Sequence, residues 1–115
     1  MNQPLYNQKK EFMSVLMEFA IFPTDKGESV SPYVSRVIKM IRESGHEYRL
    51  TPMGTIVEAD TMEDILQLIH RAYELLKPDC RRVYSTIKLD IRQGAKNCLE
   101  GKLKSVEDHI GKVRT

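Results

Sequence analysis

Six polar side chains interrupt segments that otherwise alternate like strands: Glu18 in FMSVLMEFAIF, Thr55 and Glu58 in TIVEA, and Lys88, Asp90 and Arg92 in RVYSTIKLDIR. Any one of them fits an ordinary solvated face or a cross-strand ion pair. Together they carry more weight, because charged groups in a covered sheet must pair with one another or meet a ligand. The chemistry on offer is recognition rather than turnover. A carboxylate accepts hydrogen bonds and a threonine hydroxyl donates or accepts them, but no nucleophile stands beside a base. His46, His70 and His109 fall in different segments without partners at ligand spacing, so no metal site is expected. Phosphate-cradling and nucleophile-elbow motifs are missing as well. Cys80 and Cys98 have neither metal-ligand nor redox spacing and read as free thiols. The chain is expected not to be an enzyme.

The elements that must position these groups follow from periodicity. Residues 1–11 (MNQPLYNQKKE) are polar and aperiodic and read as a flexible leader, with a single domain over residues 12–115. Residues 12–22 alternate apolar side chains on both faces, as a central strand does. Pro23 ends that strand, and a glycine-containing polar loop follows. Ser31 as N-cap with Pro32 at the first helical position then predicts a helix over residues 32–44, closed by Gly45. Residues 48–51 and 55–59 make a hairpin around Pro52-Met53-Gly54. Thr61 caps a second helix whose apolar stripe runs from Ile65 to Leu76, and residues 82–92 alternate as a fourth strand. Asn97 opens a last helix with Leu99, Leu103, Val106, Ile110 and Val113 in a narrow seam, weakened by Gly101.

The order β-α-β-β-α-β plus a terminal helix implies an α+β, ferredoxin-like sandwich: one four-stranded antiparallel sheet with both main helices on one face and a C-terminal helix in addition. Two further uses of that architecture are disfavoured. RNA binding needs stacking aromatics where Glu18 and Asp90 stand, and acylphosphatase chemistry needs an arginine in the loop TDKGESVS, which has none. The second sheet face carries Leu16, Ala20, Phe22, Tyr84 and Ile56, so self-association is expected to cover it, with fold-back of the terminal helix as the alternative.

Composition bounds the partners. With 115 residues, 41% hydrophobic and 30% charged, the chain is one globular domain. A net charge of +2, from 18 basic and 16 acidic residues, gives no field to draw nucleic acid or an anionic membrane. No apolar run is long enough for a bilayer or a signal peptide, so a cytoplasmic location is expected.

The phrases SPYVSRVIKMI, YRLTPMGTIVEAD and RVYSTIKLDIR, in this order and spacing, resemble the thiamine-binding protein family of small YkoF-like, ferredoxin-like domains. The similarity runs over roughly residues 14–110 and is most specific at Met53-Gly54-Thr55 with Glu58 and at residues 83–86 with Lys88, Asp90 and Arg92. The resemblance implies dimers and tetramers built through the sheets, with a homotetramer of paired dimers as the expectation. It also implies a non-enzymatic carrier or sensor that binds thiamine or its hydroxymethylpyrimidine half, without a cofactor. Thr55, Glu58, Lys88 and Asp90 match the family's strand motifs, and Ser29, Ser31 and Tyr33 its polar approach to the first helix. An aminopyrimidine offers ring-nitrogen acceptors and an amino donor, which Glu58, Thr55 or Ser31 could meet, while Tyr33 or Tyr84 could supply a ring to stack on. The alternative is a structural or regulatory homo-oligomer with no thiamine-related ligand, whose polar cluster serves subunit contacts.

Overall fold

Alternation of β-branched, aromatic and methionine side chains makes residues 13–23 a long strand, and its length sets the frame of the whole molecule. A computed structural model of the protein describes residues 13–115; the expected leader and Phe12 lie outside the described residues. The elements are β1 (Met13–Pro23), α1 (Ser31–Glu43), β2 (Glu47–Thr51), β3 (Gly54–Ala59), α2 (Met62–Leu76), β4 (Val83–Gln93) and α3 (Cys98–Ile110). The four strands form one antiparallel sheet in the order β2-β3-β1-β4, the ferredoxin-like arrangement expected.

Val15, Met17, Phe19 and Ile21 of β1 and Val57 and Ala59 of β3 face α1 and α2, which return Val37, Met40, Ile41, Ile65, Leu68, Ala72 and Leu76. All are buried, and this layer between sheet and helices is the hydrophobic core. The second face carries Ser14, Leu16, Glu18, Ala20 and Phe22 of β1 beside Ile56 and Glu58 of β3 and the even-numbered residues of β4.

Three local expectations are corrected. Helix α1 starts one residue early: Ser31 lies inside it, Val30 holds the N-cap position without a side-chain cap, and the Val30 carbonyl accepts from the Tyr33 and Val34 N–H groups. The Val30 carbonyl thus already takes the N–H groups that a Ser31 cap would accept from. At α3, Asn97 holds the cap position in a left-handed conformation (φ 55°) and makes no side-chain cap bond, because the Glu58 carboxylate already occupies the Cys98 and Leu99 N–H groups. The terminal helix also folds back over part of the open face. Ser14 is buried there and Leu16 is half-buried, whereas Glu18 stays exposed. The cap expected for α2 is present, with the Thr61 hydroxyl accepting from the Asp64 N–H at 3.1 Å. No helix among the described residues is long and apolar enough to cross a membrane.

Candidate functional site

The β1–β3 ladder ends at Phe19–Thr55, yet β1 runs on to Pro23 while β3 has already turned back at Gly54. Beyond Phe19, β1 therefore has no strand beside it on that edge among the described residues. The gap between that stretch, the start of α1 and the β2–β3 hairpin is a cleft of about 400 Å³. Its volume falls in the range of small-molecule sites. Phe19 and Ile21 lie along one side, Val34, Val37, Ile38 and Ile41 of α1 line the other, and three hydroxyl residues, Ser31, Thr51 and Thr55, are interspersed. Thr55 is 3% exposed, so a hydrogen bond made there would be shielded from water. At the rim Leu50 and Met53 are 62% and 88% exposed, two large apolar side chains left in solvent beside the opening.

The hairpin that forms the rim is locked by chemistry legible in its residues. The Thr51 hydroxyl donates to the Gly54 carbonyl at 2.7 Å and accepts from the Met53 N–H at 3.2 Å. Gly54 is required by close approach, since a Cβ there would sit 3.2 Å from the Phe19 carbonyl oxygen.

The residues singled out from sequence are distributed over several places. Ser31 and Thr55 line the cleft. Ser29 is exposed in the loop before α1. Tyr33 packs against the core, and its ring lies 5.0 Å below the Arg36 guanidinium, which itself donates two 2.9 Å bonds to the Asp79 carboxylate. On the open face Tyr84 packs on Phe22 with ring centroids 5.8 Å apart, and Lys88 pairs with Glu18 at 3.5 Å. Asp90 lies with Arg92 in a groove beneath α3. Glu58 points away from the cleft altogether. Its carboxylate accepts from the Ser14 hydroxyl at 2.6 Å and from the Cys98 and Leu99 N–H groups at 2.8 and 3.1 Å. Burial pushes that carboxyl up, but these three donors outweigh it and hold it below the ordinary carboxylate value. Arg49 and Glu100 add an ion pair between β2 and α3. Thr51 and the Leu50–Met53 rim were missed; the available signal was Thr51 set three residues before a glycine in a turn.

The segment that builds the cleft lies within a stretch with known relatives. A family model described as thiamine-binding protein matches residues 17–107. The chain belongs to this family. Among its relatives is a UPF0045 protein of Mycobacterium tuberculosis, 33% identical over 98 residues that cover 85% of this chain and 96% of the relative. A UPF0045 protein of Methanocaldococcus jannaschii is 35% identical over 92 residues, covering 80% of this chain and 91% of the relative. A crystal structure of a hypothetical protein from the same archaeon superposes with a TM-score of 0.74 at 33% identity, covering 83% of this chain and 97% of that one. The fold of this thiamine-binding family member is thus shared with a solved structure along nearly its whole described length. Thr55, Ser31 and the hairpin all fall inside the family match.

Proposed function

We propose that the protein is a non-enzymatic, cytoplasmic carrier or sensor that binds thiamine or its hydroxymethylpyrimidine moiety, with the pyrimidine ring in the cleft between β1, α1 and the hairpin. The observation that carries this reading is Thr55, a buried residue with a hydroxyl lining a largely apolar cleft inside the family match. A flat heteroaromatic ring suits apolar walls, and its amino group and ring nitrogens need partners that both donate and accept. Thr55 and Ser31 do both. Glu58 is no longer assigned to the ligand, since its oxygens are occupied by Ser14 and α3. No carboxylate lines the cleft among the described residues, so these offer the thiazolium cation no counter-charge. The pyrimidine half alone should therefore bind at least as tightly as whole thiamine.

Isothermal titration with hydroxymethylpyrimidine and with thiamine tests the proposal. Heat is expected for both, and Thr55→Val should weaken binding about tenfold by deleting one shielded hydrogen bond. Absence of heat with either ligand at high micromolar protein would sink it. A second reading, a structural or regulatory homo-oligomer, draws support from Glu58 and Lys88, whose partners are groups of the protein itself. Under that reading no thiamine-related ligand raises the melting temperature.

A further inference from the structure

We infer that the main-chain N–H and C=O of Ile21 are the recognition pair of the cleft: the N–H donates to a ring nitrogen and the C=O accepts from the amino group beside it, so that the site selects the amidine edge of an aminopyrimidine. This rests on the pyrimidine reading above and adds the atoms that hold the ring.

Successive residues of a strand aim their backbone groups to alternate sides in the plane of the sheet. Contacts at the end of β1 fix that alternation. The Ser85 hydroxyl of β4 donates to the Ala20 carbonyl at 3.0 Å, and the Thr24 N–H donates to the Arg82 carbonyl at 2.8 Å, so the even-numbered residues address β4. The Phe19 carbonyl oxygen points the other way, toward Gly54 of β3, where an added Cβ would stand 3.2 Å from it. Ile21 has the parity of Phe19. Its N–H and C=O therefore project to the side on which β3 has already ended, since the β1–β3 register closes at Phe19–Thr55. Among the described residues, no backbone bond from a turn or loop reaches either group. Buried main-chain groups are paired in the great majority of cases, and Ile21 is only 7% exposed. Residues 19–22 all line the cleft, so the cavity borders the edge of the strand itself and not one face alone.

The occupant follows from how short this edge is. Pro23 is the next residue of the same parity, and its nitrogen carries no hydrogen, so Ile21 supplies the one main-chain donor that β1 turns to this side beyond Phe19. One donor beside one acceptor is too little for an added peptide strand, which pairs along a row of them. It matches an aminopyrimidine, in which a ring nitrogen accepts and the neighbouring amino group donates. Ile21 presents both groups from a rigid strand, while the apolar side chains of α1 flank the ring. Thr55 and Ser31 are then left for the second ring nitrogen and the hydroxymethyl group.

Amide-resolved NMR with hydroxymethylpyrimidine tests the pair. In the free protein the Ile21 amide should exchange about tenfold faster than those of Phe19 and Phe22, which the ladders to β3 and β4 hold. Saturating ligand should slow it to the rate of these neighbours and move its proton resonance downfield, as a new hydrogen bond does. The Thr55→Val variant, once saturated, should show the same Ile21 response, because its lost bond lies elsewhere on the ring. The analogue lacking the amino group should bind about tenfold more weakly by calorimetry, since the Ile21 C=O is then left unpaired. Binding heat with an unchanged Ile21 amide, or equal affinity for the analogue, would overturn the inference and leave the pyrimidine reading standing. Absence of heat with hydroxymethylpyrimidine would remove both.

Discussion

Glu58 is conspicuous in the sequence as a carboxylate within an apolar strand, yet what it does depends on partners 40 or more positions away: Ser14, Cys98 and Leu99. No local pattern reports such contacts, which is why the sequence suggested a ligand where the structure has a helix cap. The energetic consequence is directional. A carboxyl held below its ordinary value favours the folded state when ionised, so its contribution is complete above the unfolded pKa near ~4.3 and is lost as pH falls through the lower folded value. Glu58→Gln removes two charge-assisted bonds to α3 and should cost about 1–2 kcal/mol at neutral pH, allowing for solvent screening at a half-buried site. Urea titrations at pH 7 and pH 3 check this: the gap between wild type and variant should narrow at the lower pH. Amide exchange in the first turn of α3 should accelerate in the variant. Thr55 had the opposite outcome. Singled out from sequence as one strand hydroxyl among several, it is the one that lies buried in a cleft.

At the scale of elements, periodicity within β1, α1, α2 and β4 was enough to place each of them to within a residue or so: β1, α1 and α2 bury one face and repeat accordingly, and β4 alternates although it stays exposed. What periodicity could not give was which strand faces remain uncovered. The alternation of β4 reads like that of any half-buried strand, and only the lateral position of α2 leaves Ile87, Leu89 and Ile91 in solvent. The cleft was hidden for a related reason, since it arises from a length mismatch between β1 and β3 rather than from a motif. That mismatch depends on the hairpin staying tight against β1. Gly54→Ala places a methyl 3.2 Å from the Phe19 carbonyl oxygen, a backbone atom that cannot swing aside. The expected cost is about 1–3 kcal/mol by overpacking, read as a lower denaturation midpoint at unchanged slope. The same shift should widen the cleft, so hydroxymethylpyrimidine affinity should fall more than it does in a core variant of equal stability such as Ile65→Val.

The whole molecule leaves two surfaces for neighbours, and they differ in kind. The β4 edge offers unpaired backbone groups at the side of the sheet, whereas the open face offers side chains. The terminal helix covers the open face only near Ser14 and Leu16. Past that point lie half-buried Ala20 and Phe22 and the half-exposed ring of Tyr84. Two copies stacked through this face about a two-fold axis would form an isologous interface. Tyr84 is the better probe of the face than Ala20, because Ala20 also borders the cleft. Tyr84→Asp puts an unpaired charge where a stacked sheet would exclude water, which should weaken the face by about 3 kcal/mol, roughly a hundredfold in Kd. If the faces stack, light scattering should find a smaller assembly for the variant than for the wild type at the same concentration, with native-like circular dichroism. An unchanged assembly state would mean that the open faces do not stack.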